Sequence, residues 1–238
     1  MIILDKALKK HYLSKILKRI IILCTKEAGL SREMQGFIIN LNKVKEEDLI
    51  VTIISKGNLQ TLYRFYGARH GTINIGFKID YEIEESAKST IHRLKDVIHI
   101  GFSWINNYKL LRLWQDFLSL FHKHLRDAED IGDFYYTLLN QASIEWGKQN
   151  PKRVAIESYV KLLAHEGRLH TEKECFLCAT TITEDISLIR GFLPTHEMCS
   201  HTLPINRTGL KELYKNHSSL FLNDKEIDRL WIILLEGL

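Results

Sequence analysis

The chain has 238 residues and no apolar run near the about 20 that a membrane-spanning helix needs. Its longest early run, Ile20 to Cys24, also falls short of the about 7–15 apolar residues of a secretory signal. Neither a P-loop nor a dinucleotide-binding glycine fingerprint occurs, so nucleotide-driven work is not expected. No internal repeat or low-complexity tract is present. Cysteine is scarce: three of the four fall in one spaced array and only Cys24 remains. That usage suits a reducing cytosol and not a disulfide framework, which leaves the sequons at Asn206 and Asn216 without meaning. Charge is also thin over most of the chain. Residues 1–33 hold eight Lys/Arg against three Asp/Glu; subtracting these from totals of 33 and 29 leaves 25 and 26, a net of −1 from Met34 onward. A nucleic-acid role must therefore rest on a local patch and not on bulk charge.

What the chain does have is a C-x2-C-x17-H-x2-C array formed by Cys175, Cys178, His196 and Cys199. Thiolates and imidazole are zinc ligands, and two residues between paired ligands let a tight turn aim both at one ion. Four protein ligands complete a tetrahedron and leave no position for a reacting water. The array thus points to a structural zinc. His201 is an alternative to His196, two residues beyond Cys199, and the competing reading is reduced, partly buried cysteines. A zinc hydrolase or deaminase is disfavoured, because deaminases place a Glu two residues after a ligand with the Cys-x2-Cys later in the chain. Here Glu197 directly follows His196 and the Cys-x2-Cys comes first.

Residues 4–20 space Leu4, Leu8, Leu13, Ile16, Leu17 and Ile20 among lysines, the pattern of a basic amphipathic helix. Since Met34 directly precedes a strand, residues 1–33 read equally as sequence upstream of the true start codon. From Met34 the period becomes two. Strands are expected at Phe37–Leu41, Leu49–Ile54, Leu59–Tyr66 and Ile73–Ile83, with a fifth at Val97–Ile100. Gly76 inside the fourth marks a bend or bulge. Four or five short antiparallel strands in residues 34–101 suggest a small barrel, the OB fold foremost.

Beyond Phe102 the period is helical. Trp104, Tyr108, Leu111, Trp114, Leu118, Phe121 and Leu125 form one stripe, and His122 and His124 at its end read as surface. Further helices are expected at Phe134–Trp146, Pro151–His165 (stopped by Gly167), Thr208–His217 and Asp224–Leu235. The tryptophans read as core and not as base-stacking platforms. The expected class is α+β: a basic extension at 1–33, an antiparallel barrel at 34–101, and a helical domain at 102–238 with a zinc module at about 170–201.

In order along the chain, Met34-Gln35-Gly36-Phe37-Ile38-Ile39, Glu46 to Ile54, Gly57, Gly67-Ala68-Arg69 and Tyr159 to Gly167 before the Cys-x2-Cys resemble the RecO family of bacterial DNA-repair recombination mediators. The resemblance runs from Met34 to about Leu238. It departs at His196, where the family set is often all cysteine, and around Tyr66 and His70-Gly71, where family members are more basic. It implies an OB domain, a helical domain with a zinc module, and no covalent catalysis. It also implies binding and annealing of single- and double-stranded DNA in the cytoplasm, at the nucleoid. The implied partners are RecR, single-stranded DNA-binding protein and, indirectly, a RecA-type recombinase.

On the barrel, the DNA candidates are Lys43, Lys45, Lys56, Arg64, Tyr66, Arg69, His70 and Lys78. Such binding combines cations along phosphates with exposed aromatics under bases. Tyr66 and Arg64 are expected to share one face of the third strand, with Tyr63 on the other. Segment 34–84 carries six basic and six acidic residues, so the arrangement must be local. The alternative to a DNA mediator is a zinc-stabilised interaction module whose barrel merely folds.

Overall fold

Period-two patterning from Met34 is realised as five strands that close on themselves. The computed structural model describes residues 34–238 apart from Lys88, Asp127, Glu129 and Glu184. The basic amphipathic segment and Cys24 lie outside the described residues. The strands are β1 (Met34–Lys45), β2 (Asp48–Ser55), β3 (Gly57–Arg64), β4 (Lys78–Glu84) and β5 (Arg93–Ile100). Antiparallel ladders join β1 to β2, β2 to β3 and β4 to β5. A parallel contact at Tyr63 and Arg93 joins β3 to β5, and β4 returns to β1. The circuit β1-β2-β3-β5-β4 is the closed OB arrangement. A short β6 (Asp130–Gly132) adds to the start of β3.

Strands β1 and β2 are apolar on both faces because each has an interior on either side. Ile38, Val51, Ile53, Leu62, Ile79 and Tyr81 are buried within the sheet-lined set, while Phe37, Ile39 and Ile54 belong to the core built with the helices. That core takes in α1 (Tyr108–His124), α2 (Phe134–Glu145), α3 (Pro151–His165), α5 (Arg207–Asn216) and α6 (Asp224–Leu235); the one-turn α4 (Glu197–Ser200) lies outside it. A β7–β8 hairpin (Ser187–Ile189, Leu193–Thr195) leads into α4. Residues Gln35–Leu238 form one compact unit.

All four tryptophans are buried, in line with the core reading. Burying an indole requires a partner for its N–H. Trp104 donates to the Ser143 carbonyl, Trp114 to Gly76 and Trp146 to Leu110, at 2.9, 2.8 and 3.0 Å. Helix caps follow the sequence closely: Asn107, Asn150 and Asn206 cap α1, α3 and α5, and Asn223 with Glu226 forms a capping box on α6.

Three expectations are corrected. The strand expected over Ile73–Ile83 begins only at Lys78. Residues 73–77 keep the alternation, with Ile73 buried, but Gly76 at φ +88° breaks the strand and α1 takes its carbonyls: Trp114 bonds Gly76 O and Gln115 bonds Ile75 O at 3.0 Å. Tyr108 is 77% exposed, so the α1 stripe starts at Trp114 and runs through Phe117, Leu118 and Phe121. His124 is not surface. Its side chain is 16% exposed and bonds Glu166 at 2.6 Å, at the far end of α3.

Candidate nucleic-acid interface and metal centre

The barrel presents one basic and aromatic surface, at the end where β3 leaves the sheet. Strand β3 stops at Arg64, earlier than expected, because Tyr66 turns into the left-handed region at φ 52°. Asp48, at the start of β2, holds this corner: it accepts the Tyr66 N–H at 2.8 Å and the Tyr63 hydroxyl at 2.6 Å. The Tyr63 bond, then the Tyr66 N–H, keeps the Asp48 carboxyl below its usual range. The turn Gly67–Arg69 is fastened to the β1–β2 hairpin by an Ala68 N–H bond to the Glu47 carbonyl, 2.9 Å. Gly67 is buried and closely packed there: a Cβ would lie 2.9 Å from the Leu49 side chain, which would have to shift.

The cleft behind this corner has a volume of about 380 Å³ and is lined by Arg64, Phe65, Tyr66, His70, Glu84, Arg93, Leu94 and Lys95. Phe65 is 46% and Tyr66 57% exposed. Each ring carries a guanidinium: Arg93 lies 5.1 Å from the Phe65 centroid and Arg69 5.0 Å from that of Tyr66. Carboxylates answer the cations. Glu47 pairs with Arg69, and Glu84 bonds Lys95 at 2.6 Å and Arg93 at 3.4 Å. Those two cations, Lys95 foremost, lower the Glu84 carboxyl.

The structure thus gathers Arg64, Tyr66, Arg69 and His70, with Lys43 and Lys45 exposed on the adjoining hairpin. Arg64 is half-buried, with one guanidinium nitrogen on the Leu94 carbonyl at 2.9 Å, so it braces β3 against β5. Lys56 and Lys78 stand apart. Lys56 faces Asp133 at 3.6 Å, and Lys78 bonds Asn140 at 2.9 Å beside the rings of Phe37 and Tyr136, so both tie the barrel to the α2 region. Sequence reading missed Phe65, Arg93 and Lys95. Strand alternation put Phe65 opposite Tyr66, and only the parallel β3–β5 contact brings Arg93 alongside.

The second site lies past α3. Cys175, Cys178, His196 and Cys199 place their ligand atoms all within 4.8 Å of one another. The Cys175 knuckle closes through Ala179 N–H to Cys175 O, 2.8 Å, with Ala179 in the left-handed region at φ 56°. The β7–β8 hairpin delivers His196, the N-cap of α4, and a Phe176 N–H bond to Pro194 O, 2.8 Å, joins the two halves. His196 turns Nδ1 toward Cys178 and Cys199 at 3.5 and 3.8 Å, while Nε2 faces the Thr181 carbonyl at 3.4 Å. Tetrahedral zinc with bonds of about 2.3 Å to sulfur and 2.0–2.1 Å to nitrogen separates its ligands by about 3.5–3.8 Å. The carbonyl on Nε2 is the partner that leaves Nδ1 free to ligate.

Burial pushes the Cys175 thiol up, but backbone N–H groups of His196, Cys178 and Leu177 outweigh it and bring it down to about 6. Cys199 is pushed up to about 11 by burial and by the neighbouring sulfurs. Three thiolates this close repel unless a cation sits among them, so the donor set fits a metal ion. His201 is outside the cluster.

Residues 34–105 match the family model described as RecO N terminal. This segment is a RecO-family N-terminal domain. The match covers the whole barrel and stops before α1. RecO domains mark DNA repair and recombination mediators. No curated protein matches the chain. No helix among the described residues is long and apolar enough to cross a membrane.

Proposed function

We propose that the protein is a RecO-type mediator that binds single- and double-stranded DNA through the barrel and anneals complementary strands. In this reading it works in the cytoplasm with RecR and single-stranded DNA-binding protein, and assists loading of a RecA-type recombinase. The observation that carries the reading is the basic, aromatic corner of a barrel whose sequence matches RecO N terminal. Arg69, Arg93 and Lys95, with Lys43 and Lys45 on the hairpin, are the phosphate contacts, and Tyr66 is a stacking surface. Arg64 and His70 shape the same corner. Lys56 and Lys78, bound to the α2 region, act through the packing of barrel on helix. Covalent catalysis has no part in it.

Zinc is the resident ion of Cys175, Cys178, His196 and Cys199 in this proposal. Four protein ligands close its sphere, which supports a structural role: it holds the knuckle and the β7–β8 hairpin together against the helices. Metal analysis of protein purified without added zinc should give about one ion per chain, lost in Cys175→Ser, and chelation should lower Tm. Metal-free wild type with an unchanged Tm removes the zinc.

A second reading, an interaction module without DNA binding, draws on the pairing of Arg69, Arg93 and Lys95 with Glu47 and Glu84. Strand annealing separates the two. Complementary oligonucleotides carrying donor and acceptor dyes should pair faster with the protein present. An unchanged pairing rate, with no complex on either strand, favours the interaction module.

A further inference from the structure

A cleft of about 530 Å³ opens where the end of α3, the Cys175 knuckle and the β7–β8 hairpin meet. Its lining includes Arg168, His170 and Arg190 beside Phe176 and Leu193, and contains neither Asp nor Glu. A concave surface lined by cations alone focuses their field and gathers anions. The chain from Met34 onward has a net charge of −1, so general basicity does not explain the cluster.

The fold places each group. Gly167, at φ 67°, turns the chain out of α3, and the Arg168 N–H then bonds Leu163 O at 2.8 Å. One guanidinium nitrogen of Arg168 bonds Glu166 at 2.8 Å, which leaves the other donors of its fork for the cleft. Arg190 is exposed and lies against the backbone of Gly237, where a Cβ would come within 2.9 Å of Nη2. Behind them, Tyr159 is 1% exposed and its hydroxyl has no hydrogen-bond partner among the described residues. Burial raises that hydroxyl to about 12, and the charges bearing on it are Arg168, Glu166 and Arg190, so a protonated donor stands in the field of both arginines. Phe176 is 62% exposed, with its N–H on Pro194 O at 2.8 Å, which holds the ring's backbone to the hairpin.

We infer that this cleft binds a terminal nucleoside phosphate: Arg168 and Arg190 clamp the phosphate oxygens and the Phe176 ring takes the base. Guanidinium forks match phosphate oxygens in pairs, and a terminal phosphate offers three oxygens and nearly two charges where a backbone phosphodiester offers less. The volume is within the about 300–1,000 Å³ of small-ligand clefts. Binding is non-covalent and turns nothing over, in keeping with a chain that has no P-loop. The same chemistry is carried by a free nucleotide and by the 5′ end of a strand. This site is separate from the barrel and does not depend on DNA binding there.

The test is equilibrium dialysis of the zinc-replete full chain against labelled AMP, with adenosine and inorganic phosphate as competitors. AMP should bind about tenfold or more tighter than inorganic phosphate, the difference being the stacked base. Arg190→Gln, at an exposed position, should weaken AMP about tenfold or more. Phe176→Ala should bring AMP down to the affinity of phosphate. Strand competition then separates the two sources. A 5′-phosphorylated oligothymidylate that displaces AMP, where the same strand without the phosphate does not, assigns the cleft to strand ends. Retention of AMP against both strands assigns it to free nucleotide. Displacement by both strands alike overturns the inference, since the cleft then follows backbone phosphates. No retention of AMP, AMP no tighter than phosphate, or affinity unmoved by Arg190→Gln each overturns it as well. None of these results bears on the barrel, which the variants leave intact.

Discussion

At the scale of single residues, carboxylates decide how much of the basic corner a phosphate meets. Glu84 spans Arg93 and Lys95, and a phosphate must displace it to reach either. Exposed pairs of this kind are weak and screened by solvent. Glu84→Gln should therefore tighten oligonucleotide binding about twofold to fivefold in an anisotropy titration, whereas weaker binding would make Glu84 part of the contact. Glu166 is a different case, since its side chain is 13% exposed and it accepts from His124, Tyr135 and Arg168. Burial raises its carboxyl, yet these three partners together hold it below the usual value. A carboxyl lowered in the folded state adds stability above its unfolded pKa, about 4.3, and loses it as pH falls through the folded value. Glu166→Gln should cost about 2 kcal/mol at pH 7, and the gap from wild type should close as the pH is taken below about 4 in urea unfolding. A gap independent of pH would mean that the Glu166 charge contributes nothing.

At the scale of elements, the corner depends on where strands end and not on where they run. Gly76 illustrates this: at φ +88° a side chain is strained, and a Cβ would meet Trp114 Cδ1 at 2.9 Å. Gly76→Ala should destabilise the protein by about 2 kcal/mol or more, read as a lower urea midpoint with m unchanged. A midpoint unaltered by the change would mean that α1 does not lock the 73–77 segment. Much of the fold was legible because strands and helices each bury one stripe. Asp224–Leu235 and Pro151–His165 appear with the expected bounds, since Asn223, Asn150 and Gly167 punctuate them. The candidate metal cluster was legible from spacing, because each ligand pair lies within one turn, but spacing left His201 open as an alternative and the fold brings His196 to the three cysteines. What alternation could not reveal is a non-local partner. Residues 73–77 read as strand because Ile73, Ile75 and Phe77 do share a face, but carbonyls claimed by α1 are invisible in the sequence. Arg93 and Lys95 likewise reach Phe65 and Glu84 only through barrel closure. His124 finds Glu166 across 42 residues.

At the scale of the whole molecule, charge and core divide the work. One apolar cluster joins Phe37, Ile39 and Ile54 of the barrel to Trp114, Leu163 and Leu234 of the helices, so the barrel is mounted on a stable base. Arg153 adds to it by bonding Ser219 O, Leu222 O and Asp224 from α3, which fixes the approach to α6. With a net charge of −1 from Met34 onward, the proposed DNA binding by the barrel rests on placed cations and not on a general field of that segment. Affinity for a single strand measured over a series of salt concentrations tests that claim most directly. The five proposed phosphate contacts predict a slope of log K against log salt of about −3 to −4 for a single strand. Arg93→Glu with Lys95→Glu should flatten it. A protein that ignores single strands even at the lowest salt, or a slope unmoved by the double reversal, would contradict the account.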